Sequence, residues 1–163
     1  MERYDYAPLY CEENVRRLMD HPDVAGSERN VLFIARDFRM WAQRAGSPCT
    51  WDYHVILLVK SAGWRVWDLD SLLGLDAPLE TYLDRSFKAP GPRFRVIDAA
   101  TFATTFSSDR SHMKLPDGTY RAPPPPWPPC FDPARGMNLN AFIDMDQPFV
   151  GERLDLPGLR ALS

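Results

Sequence analysis

The chain has 163 residues, of which 45% are hydrophobic and 25% are charged, and its formal net charge is −3. This composition is typical of an ordinary globular domain, and the small negative charge favours neither a nucleic-acid partner nor an anionic membrane surface. No apolar run approaches the roughly 20 residues that span a bilayer, and residues 1–5 lack the layout of a signal peptide. We therefore expect one domain over residues 1–163, with no nucleic-acid or membrane partner.

The three cysteines, Cys11, Cys49 and Cys130, are odd in number and irregular in spacing. This usage argues against a disulfide framework and predicts a reducing, cytoplasmic location, where a single thiol can serve as a nucleophile. The spacings Cys-x-x-Cys, His-x-x-x-His and His-Glu-x-x-His do not occur in the sequence, so we expect no metal site.

Residues 11–19 predict the first helix. Acidic residues come first, basic residues follow, and apolar residues recur at helical spacing, an order that suits the helix dipole. Cys11 is the only cysteine at a predicted helix start, where backbone N–H groups favour the thiolate. Glu12 and Glu13 oppose this effect, so a charged His54 would have to pair with the thiolate. Cys11 is the candidate nucleophile, and its alternative role is that of a small buried hydrophobic residue.

Two strands, at 51–60 and 64–70, are predicted to form a hairpin. β-branched and aromatic residues fill both arms, and the small residues Ser61-Ala62-Gly63 lie between them. A hairpin folded about Ser61 places His54 opposite Asp68, because 54 + 68 = 2 × 61. Directly opposed residues hold their Cβ atoms roughly 4.5–5.5 Å apart.

A carboxylate at that distance can accept a hydrogen bond from an imidazole, fix its tautomer and raise its basicity. The hairpin therefore predicts His54 as a general base that Asp68 orients. Asp52 and Asp70 are competing carboxylates, and the cross-strand register favours Asp68.

The rest of the chain predicts several short elements. Strands are expected at 30–35 and 93–97, and helices at 79–87, 98–106 and 137–145, the second of these capped by Asp98. Residues 37–46 fit either a loop or a short strand, and the tail after Gly151 has little pattern.

Residues 107–136 have the composition of a long ordered loop. It contains His112, which we interpret as a loop histidine, and the proline run Pro123–Pro126. The run could be a ligand for proline-recognition domains, since it preforms an extended helix. We prefer the alternative of a stiff wall that Trp127 packs against the domain.

A cysteine at a helix start, followed along the chain by a histidine and an aspartate on neighbouring strands, is the layout of papain-like and transglutaminase-like thiol enzymes. The sequence also closely resembles the protein N-terminal glutamine amidohydrolases, the deamidases of the N-degron pathway. The resemblance extends roughly from residue 10 to residue 146. The matching stretches include Tyr10–Asn14, Trp51–Val55, Asp68–Asp70, Phe94–Ile97, Ser108–Lys114, Pro123–Pro126 and Met137–Asn140.

The resemblance implies a single catalytic α+β domain, papain-like or transglutaminase-like, with an antiparallel sheet and the nucleophile at a helix N-terminus. It places the catalytic trio on Cys11, His54 and Asp68. The implied reaction hydrolyses the side-chain amide of an N-terminal glutamine through a Cys thioester, giving glutamate and ammonia. It requires no cofactor. The implied partners are proteins or peptides with N-terminal Gln, and we expect a monomer in the cytosol, or also in the nucleus of a eukaryote.

Restriction to a chain terminus requires acceptors for a free ammonium group. Glu13 and Asp109 are the candidates, because both are charged and lie within matched stretches, and the alternative for each is a solvated surface position. Three rival functions stay open: a thiol protease or acyl transferase on the same scaffold, a non-enzymatic module built on the proline run, and an amidase of free glutamine.

Overall fold

A computed structural model describes residues 3–162, which form one six-stranded antiparallel sheet with helices on both faces. The strand order across the sheet is β4-β3-β2-β1-β5-β6. The strands are β1 Arg29–Met40, β2 Cys49–Lys60, β3 Trp64–Trp67, β4 Ala77–Pro78, β5 Arg93–Asp98 and β6 Glu152–Leu154; the helices are α1 Cys11–Leu18, α2 Leu79–Ser86, α3 Ala99–Thr105, α4 Leu139–Ile143 and α5 Leu156–Arg160, with a 3₁₀ turn at Ser111–Met113. The predicted α+β class is confirmed. No helix within this described range is long and apolar enough to cross a bilayer.

Strands β1 and β2 form the centre of the sheet and are longer than their apolar patterns indicate. Their register shifts between Ala35 and Phe38, where Arg36 and Asp37 have positive φ angles of 79° and 46°. This bulge interrupts the alternation of buried and exposed residues. The strand predicted at 30–35 therefore continues through the ambiguous stretch as far as Met40.

The hairpin of β2 and β3 is confirmed, but the predicted centre of its turn is wrong. Leu58 pairs with Val66 and Lys60 with Trp64, so paired numbers sum to 124 and the hairpin folds about Ala62 instead of Ser61. Strand β3 ends at Trp67, and Asp68 lies just beyond the paired residues, not opposite His54.

Two apolar clusters cover the two faces of the sheet. Helices α1, α3 and α4 pack on one face, where Phe33 of β1 stacks on Phe142 of α4 with ring centroids 5.1 Å apart. Helices α2 and α5 pack on the other face against the alternate residues of the same strands. Burying both faces of the sheet explains why β1 and β2 have long apolar runs where the alternation of a half-exposed strand would be expected.

The predicted helices and strands occur close to their expected positions, and the tail contains elements that the sequence did not predict. Asp98 caps α3 by accepting a hydrogen bond from the Thr101 N–H at 3.0 Å. The tail after Gly151 forms β6, of three residues, and α5, of five residues. Elements this short contain too few repeats for a periodic pattern.

The long segment 107–136 is fixed to α1 through a small third cluster. Tyr10, Met113 and Ala122 are buried together there, and Trp127 packs against them. The indole N–H of Trp127 donates a hydrogen bond of 2.8 Å to Glu13. The segment therefore forms one wall of the region around the N-terminus of α1.

Candidate active site

A cleft of about 370 Å³ lies at the N-terminus of α1, beside the first half of β2. Cys11, His54 and Asp70 line it together with His112 from the long segment and Ile143 from α4. Four parts of the chain that are distant in sequence therefore meet at one opening. Two of the predicted catalytic residues, Cys11 and His54, lie in its wall, and Asp68 lies behind His54.

The imidazole of His54 is 2% exposed and is held from two sides. Its Nε2 lies 3.1 Å from Asp68 Oδ1, and the ring of Trp51 stacks on it at 5.7 Å with an interplanar angle of 13°. Because an ionised carboxylate only accepts hydrogen bonds, Nε2 carries the proton and Nδ1 is left for chemistry. The stacked indole restricts the ring to this orientation.

The Asp68 carboxylate receives four hydrogen bonds. Besides His54, the Asp70 N–H donates to Oδ1 at 2.9 Å, and Gln43 Nε2 and the Tyr82 hydroxyl donate to Oδ2 at 3.1 Å and 2.7 Å. Burial raises the pKa of Asp68, but the charge of His54 and these donors outweigh it, so the pKa lies below the usual range. Asp68 is therefore fixed as an anion.

The charge of Asp68 controls the basicity of His54. Burial alone lowers the pKa of His54, but the charge and hydrogen bond of Asp68, together with the charges of Asp70 and Glu12, outweigh burial and raise the pKa above its ordinary value. A base with a raised pKa can take a proton from a thiol more readily and still return it during the reaction.

The Cys11 thiol is half-buried, and its Sγ lies 3.5 Å from Glu12 Oε2. Burial, followed by the charges of Glu12 and Asp70, raises the pKa of Cys11 well above its usual value, while the backbone of Val55 lowers it. The helix start therefore does not produce a low thiol pKa here. Burial contributes most to the raised pKa, and of the two acidic neighbours that the sequence indicated, Glu12 adds to it.

A second polar cluster lies next to the sulfur. The Glu12 side chain is fully buried, its Oε2 accepts a hydrogen bond of 3.0 Å from the Tyr53 hydroxyl, and its Oε1 lies 3.3 Å from His112 Nε2. The Tyr53 hydroxyl is also 3.3 Å from His112 Nε2. His112, which the sequence suggested was only a loop histidine, thus borders the cleft.

The sequence model of one protein family, N-terminal glutamine amidase, matches residues 6–159 of the chain. The chain belongs to this family. Among curated relatives named protein N-terminal glutamine amidohydrolase, the Homo sapiens protein is 39% identical over 90% of this chain and 80% of its own length. The Danio rerio relative is 38% identical over 90% of this chain and 81% of its own length, and the Arabidopsis thaliana relative is 35% identical over 88% and 76%.

In this amidase family member, Glu13 and Asp109, the predicted ammonium acceptors, lie outside the cleft lining. Glu13 is fully buried, and both its oxygens accept hydrogen bonds of 2.7 Å from the Arg110 guanidinium. Asp109 is exposed and accepts a hydrogen bond of 2.8 Å from the Ser111 N–H. Their role in substrate binding stays a prediction.

Within residues 3–162, one group of three side chains has the spacing of a metal site. Donor atoms of His54, Asp68 and Asp70 all lie within 4.8 Å of one another. However, both Asp68 oxygens already accept two hydrogen bonds each, one of them from His54 itself. A metal would have to displace these donors, so the donor set fits a hydrogen-bonded acid–base pair better than a metal centre.

Proposed function

We propose that the chain hydrolyses the side-chain amide of an N-terminal glutamine, releasing ammonia and leaving an N-terminal glutamate. The supporting observation is that Cys11 shares one cleft with His54, whose ring is held by Asp68. Family membership supports the substrate, because the matched relatives are named for it. The papain-like or transglutaminase-like assignment, one catalytic domain over 1–163, a monomeric state and a cytoplasmic location belong to the same proposal.

In the first step, the Cys11 thiol attacks the amide carbon of the glutamine side chain. The S–H proton passes to His54 Nδ1 as the C–S bond forms, and the carbonyl electron pair moves to the oxygen. The first N–H groups of α1 have no partner inside the helix and can stabilise this oxyanion. Asp68 stabilises the imidazolium.

In the second step, the C–N bond breaks and His54 returns its proton to the departing nitrogen. Ammonia leaves and a thioester remains on Cys11. A water molecule then gives a proton to His54 and attacks the thioester carbon. The C–S bond breaks, the sulfur recovers a proton from His54, and glutamate is released.

Selection of a chain terminus requires an acceptor for the ammonium group within the cleft. Glu13 and Asp109 do not line it, whereas Asp70 and Asp52 do. Asp70 is held by a hydrogen bond of 2.5 Å from the Tyr6 hydroxyl and lies close to His54. We therefore propose Asp70, assisted by Asp52, as the group that binds the ammonium.

Ammonia release from three peptides tests this function directly. The peptides share one composition and differ in whether glutamine is first, second, or first and acetylated. We expect ammonia from the first peptide only, because a blocked or internal glutamine offers no ammonium to the cleft. Free glutamine serves as a fourth substrate and separates an amino-acid amidase from an enzyme that acts on peptides.

Mass spectrometry of the products separates the rival reactions. Deamidation leaves the peptide length unchanged, a thiol protease shortens the peptide, and an acyl transferase joins it to an added amine. Equal ammonia release from all three peptides, or peptide cleavage without ammonia, would overturn the proposed function.

A further inference from the structure

Glu12, which follows the proposed nucleophile Cys11 in the chain, is a buried carboxylate that takes no part in the steps of the proposed reaction. Glu12 has no exposed side-chain surface, and its Oε2 lies 3.5 Å from Cys11 Sγ, within hydrogen-bond distance for sulfur. A carboxylate only accepts hydrogen bonds, and a thiol donates one only while it keeps its proton. With Glu12 ionised, this contact is a hydrogen bond only while the thiol keeps its proton.

Neighbouring side chains hold Glu12 in this position. The Tyr53 hydroxyl donates to the oxygen that faces the sulfur, and His112 lies beside the other oxygen. Among the described residues, His112 is the only basic side chain within salt-bridge distance of Glu12. Glu12 thus has no arginine or lysine at that distance to neutralise it, and its field acts on the adjacent sulfur through a medium of low dielectric constant.

We propose that Glu12 is a positioning residue that keeps the Cys11 thiol protonated in the resting enzyme. The inference relies on the proposed role of Cys11 as the nucleophile. A thiolate would lose the hydrogen bond to Glu12 and lie next to a second negative charge. Sulfur therefore transfers its proton to His54 as attack begins, and it does not rest as a thiolate–imidazolium pair.

Several charged groups face the sulfur, and Glu12 is the one that contacts it. Asp70, after β3, acts in the same direction, but it accepts its hydrogen bond from the Tyr6 hydroxyl and not from the thiol. On β2, the backbone of Val55 favours the thiolate and His54 supplies the base. His112 reaches the site from the long segment. The raised pKa of Cys11, in which Glu12 is the largest contribution after burial, supports this assignment.

The experiment measures the rate at which iodoacetamide alkylates Cys11 across a pH series, with no peptide substrate present. Peptide mapping separates Cys11 from Cys130, which lines a different cavity and reports whether each variant is folded. The test variants are Glu12→Gln and Glu12→Asp. The matched control is Glu28→Gln, which removes one acidic charge at an exposed position.

Glu12→Gln should move the midpoint of the alkylation profile down by about one pH unit. At pH 7 the rate should rise only about threefold, because a less basic thiolate is also a weaker nucleophile. Glu12→Asp retains the charge at a greater distance and should give an intermediate midpoint. Glu28→Gln should leave the midpoint unchanged.

A midpoint that stays in place or rises in Glu12→Gln, or a wild-type profile with the low midpoint of a resting thiolate, would overturn the inference. If the Cys130 rate shows that Glu12→Gln is unfolded, the S–H infrared band of the wild-type protein carries the test. The Cys11 band is assigned from the difference between the wild-type spectrum and that of Cys11→Ala. At pH 7 it should be present, at a lower frequency than the Cys130 band because the Cys11 thiol donates a hydrogen bond. Absence of a Cys11 S–H band at pH 7 would contradict the inference.

Both measurements are made without substrate, so they are independent of the proposed deamidation. A shifted profile in a protein that releases no ammonia would reject the function alone. Normal ammonia release with an unshifted profile would reject the role of Glu12 alone.

Discussion

At the scale of single residues, the chemistry depends on how Asp68 is held. Four donors converge on its two oxygens, and one of them is His54, the proposed general base. Because these donors already hold the Asp68 anion, few of the surrounding groups have to move when His54 becomes charged during attack. Asp68 thus contributes both the orientation and the basicity of the imidazole.

Asp68→Asn is expected to lower kcat by about 10²–10⁴-fold, because the amide cannot stabilise the imidazolium and allows the wrong tautomer. The acid limb of kcat/KM should follow the pKa of His54, because the neutral base is required and the charge of Asp68 helps to raise that pKa. Removing the charge lowers that pKa, so the limb should move to lower pH. Ammonia release measured across a pH series gives both quantities.

Asp70→Asn is the comparison variant for this prediction, and its effect should fall mainly on KM, because Asp70 is proposed to bind the substrate ammonium. It removes a neighbouring carboxylate that does not hydrogen-bond the His54 ring. A greater loss of kcat in Asp70→Asn than in Asp68→Asn, or an acid limb that stays in place in Asp68→Asn, would show that the orienting carboxylate has been misassigned.

At the scale of elements, sequence patterns predicted the helices and strands better than the turns that connect them. Apolar periodicity indicated α1 and α2, and the Asp98 cap indicated α3, whereas a continuous apolar run indicated the core of β1. The hairpin centre was displaced by one residue, since the geometry of the Ser61-Ala62-Gly63 turn fixes it. The short β6 and α5 pack against β5 and α2 and have too few residues for a periodic pattern, although Asp155 caps α5 by accepting a hydrogen bond from the Gly158 N–H.

The junction before β6 provides a test of this tertiary control. Gly151 has φ +81°, and a Cβ there would lie 2.3 Å from the Val96 carbonyl oxygen. Gly118 has a similar φ of +85° with open space around it. Gly151→Ala should therefore lower the free energy of unfolding by more than about 2 kcal/mol, and Gly118→Ala by about 1 kcal/mol. Urea unfolding compares the two, and equal losses would contradict the account.

At the scale of the whole molecule, the cleft is assembled from distant segments, and this explains which site residues the sequence could predict. Cys11 and His54 were indicated as catalytic residues by a helix start and a strand, and this role stays a prediction. Asp68 was indicated by a cross-strand register that is wrong by one residue at the turn, although Asp68 does hydrogen-bond His54. Gln43 and His112 were not indicated, because they come from irregular chain with no repeat to indicate what they contact. Their contacts with the site exist only in the folded protein.

The buried pair of Glu13 and Arg110 fixes the long segment to α1. Removing one partner of such a pair leaves the other charge uncompensated, so Glu13→Gln should cost about 3–5 kcal/mol of folding free energy. Thermal unfolding measures this loss. Glu13→Gln with unchanged thermal stability and a raised KM for peptides with a free N-terminus would instead support the predicted role of Glu13 as an ammonium acceptor.

The most direct test of the whole account is ammonia release by Cys11→Ala from a peptide that begins with glutamine. The paired variant is Cys130→Ala, which removes a thiol from a separate cavity. We predict that Cys11→Ala releases no ammonia above the uncatalysed background, while Cys130→Ala keeps close to the wild-type rate. A substantial rate in folded Cys11→Ala would contradict the assignment of the nucleophile and the mechanism built on it.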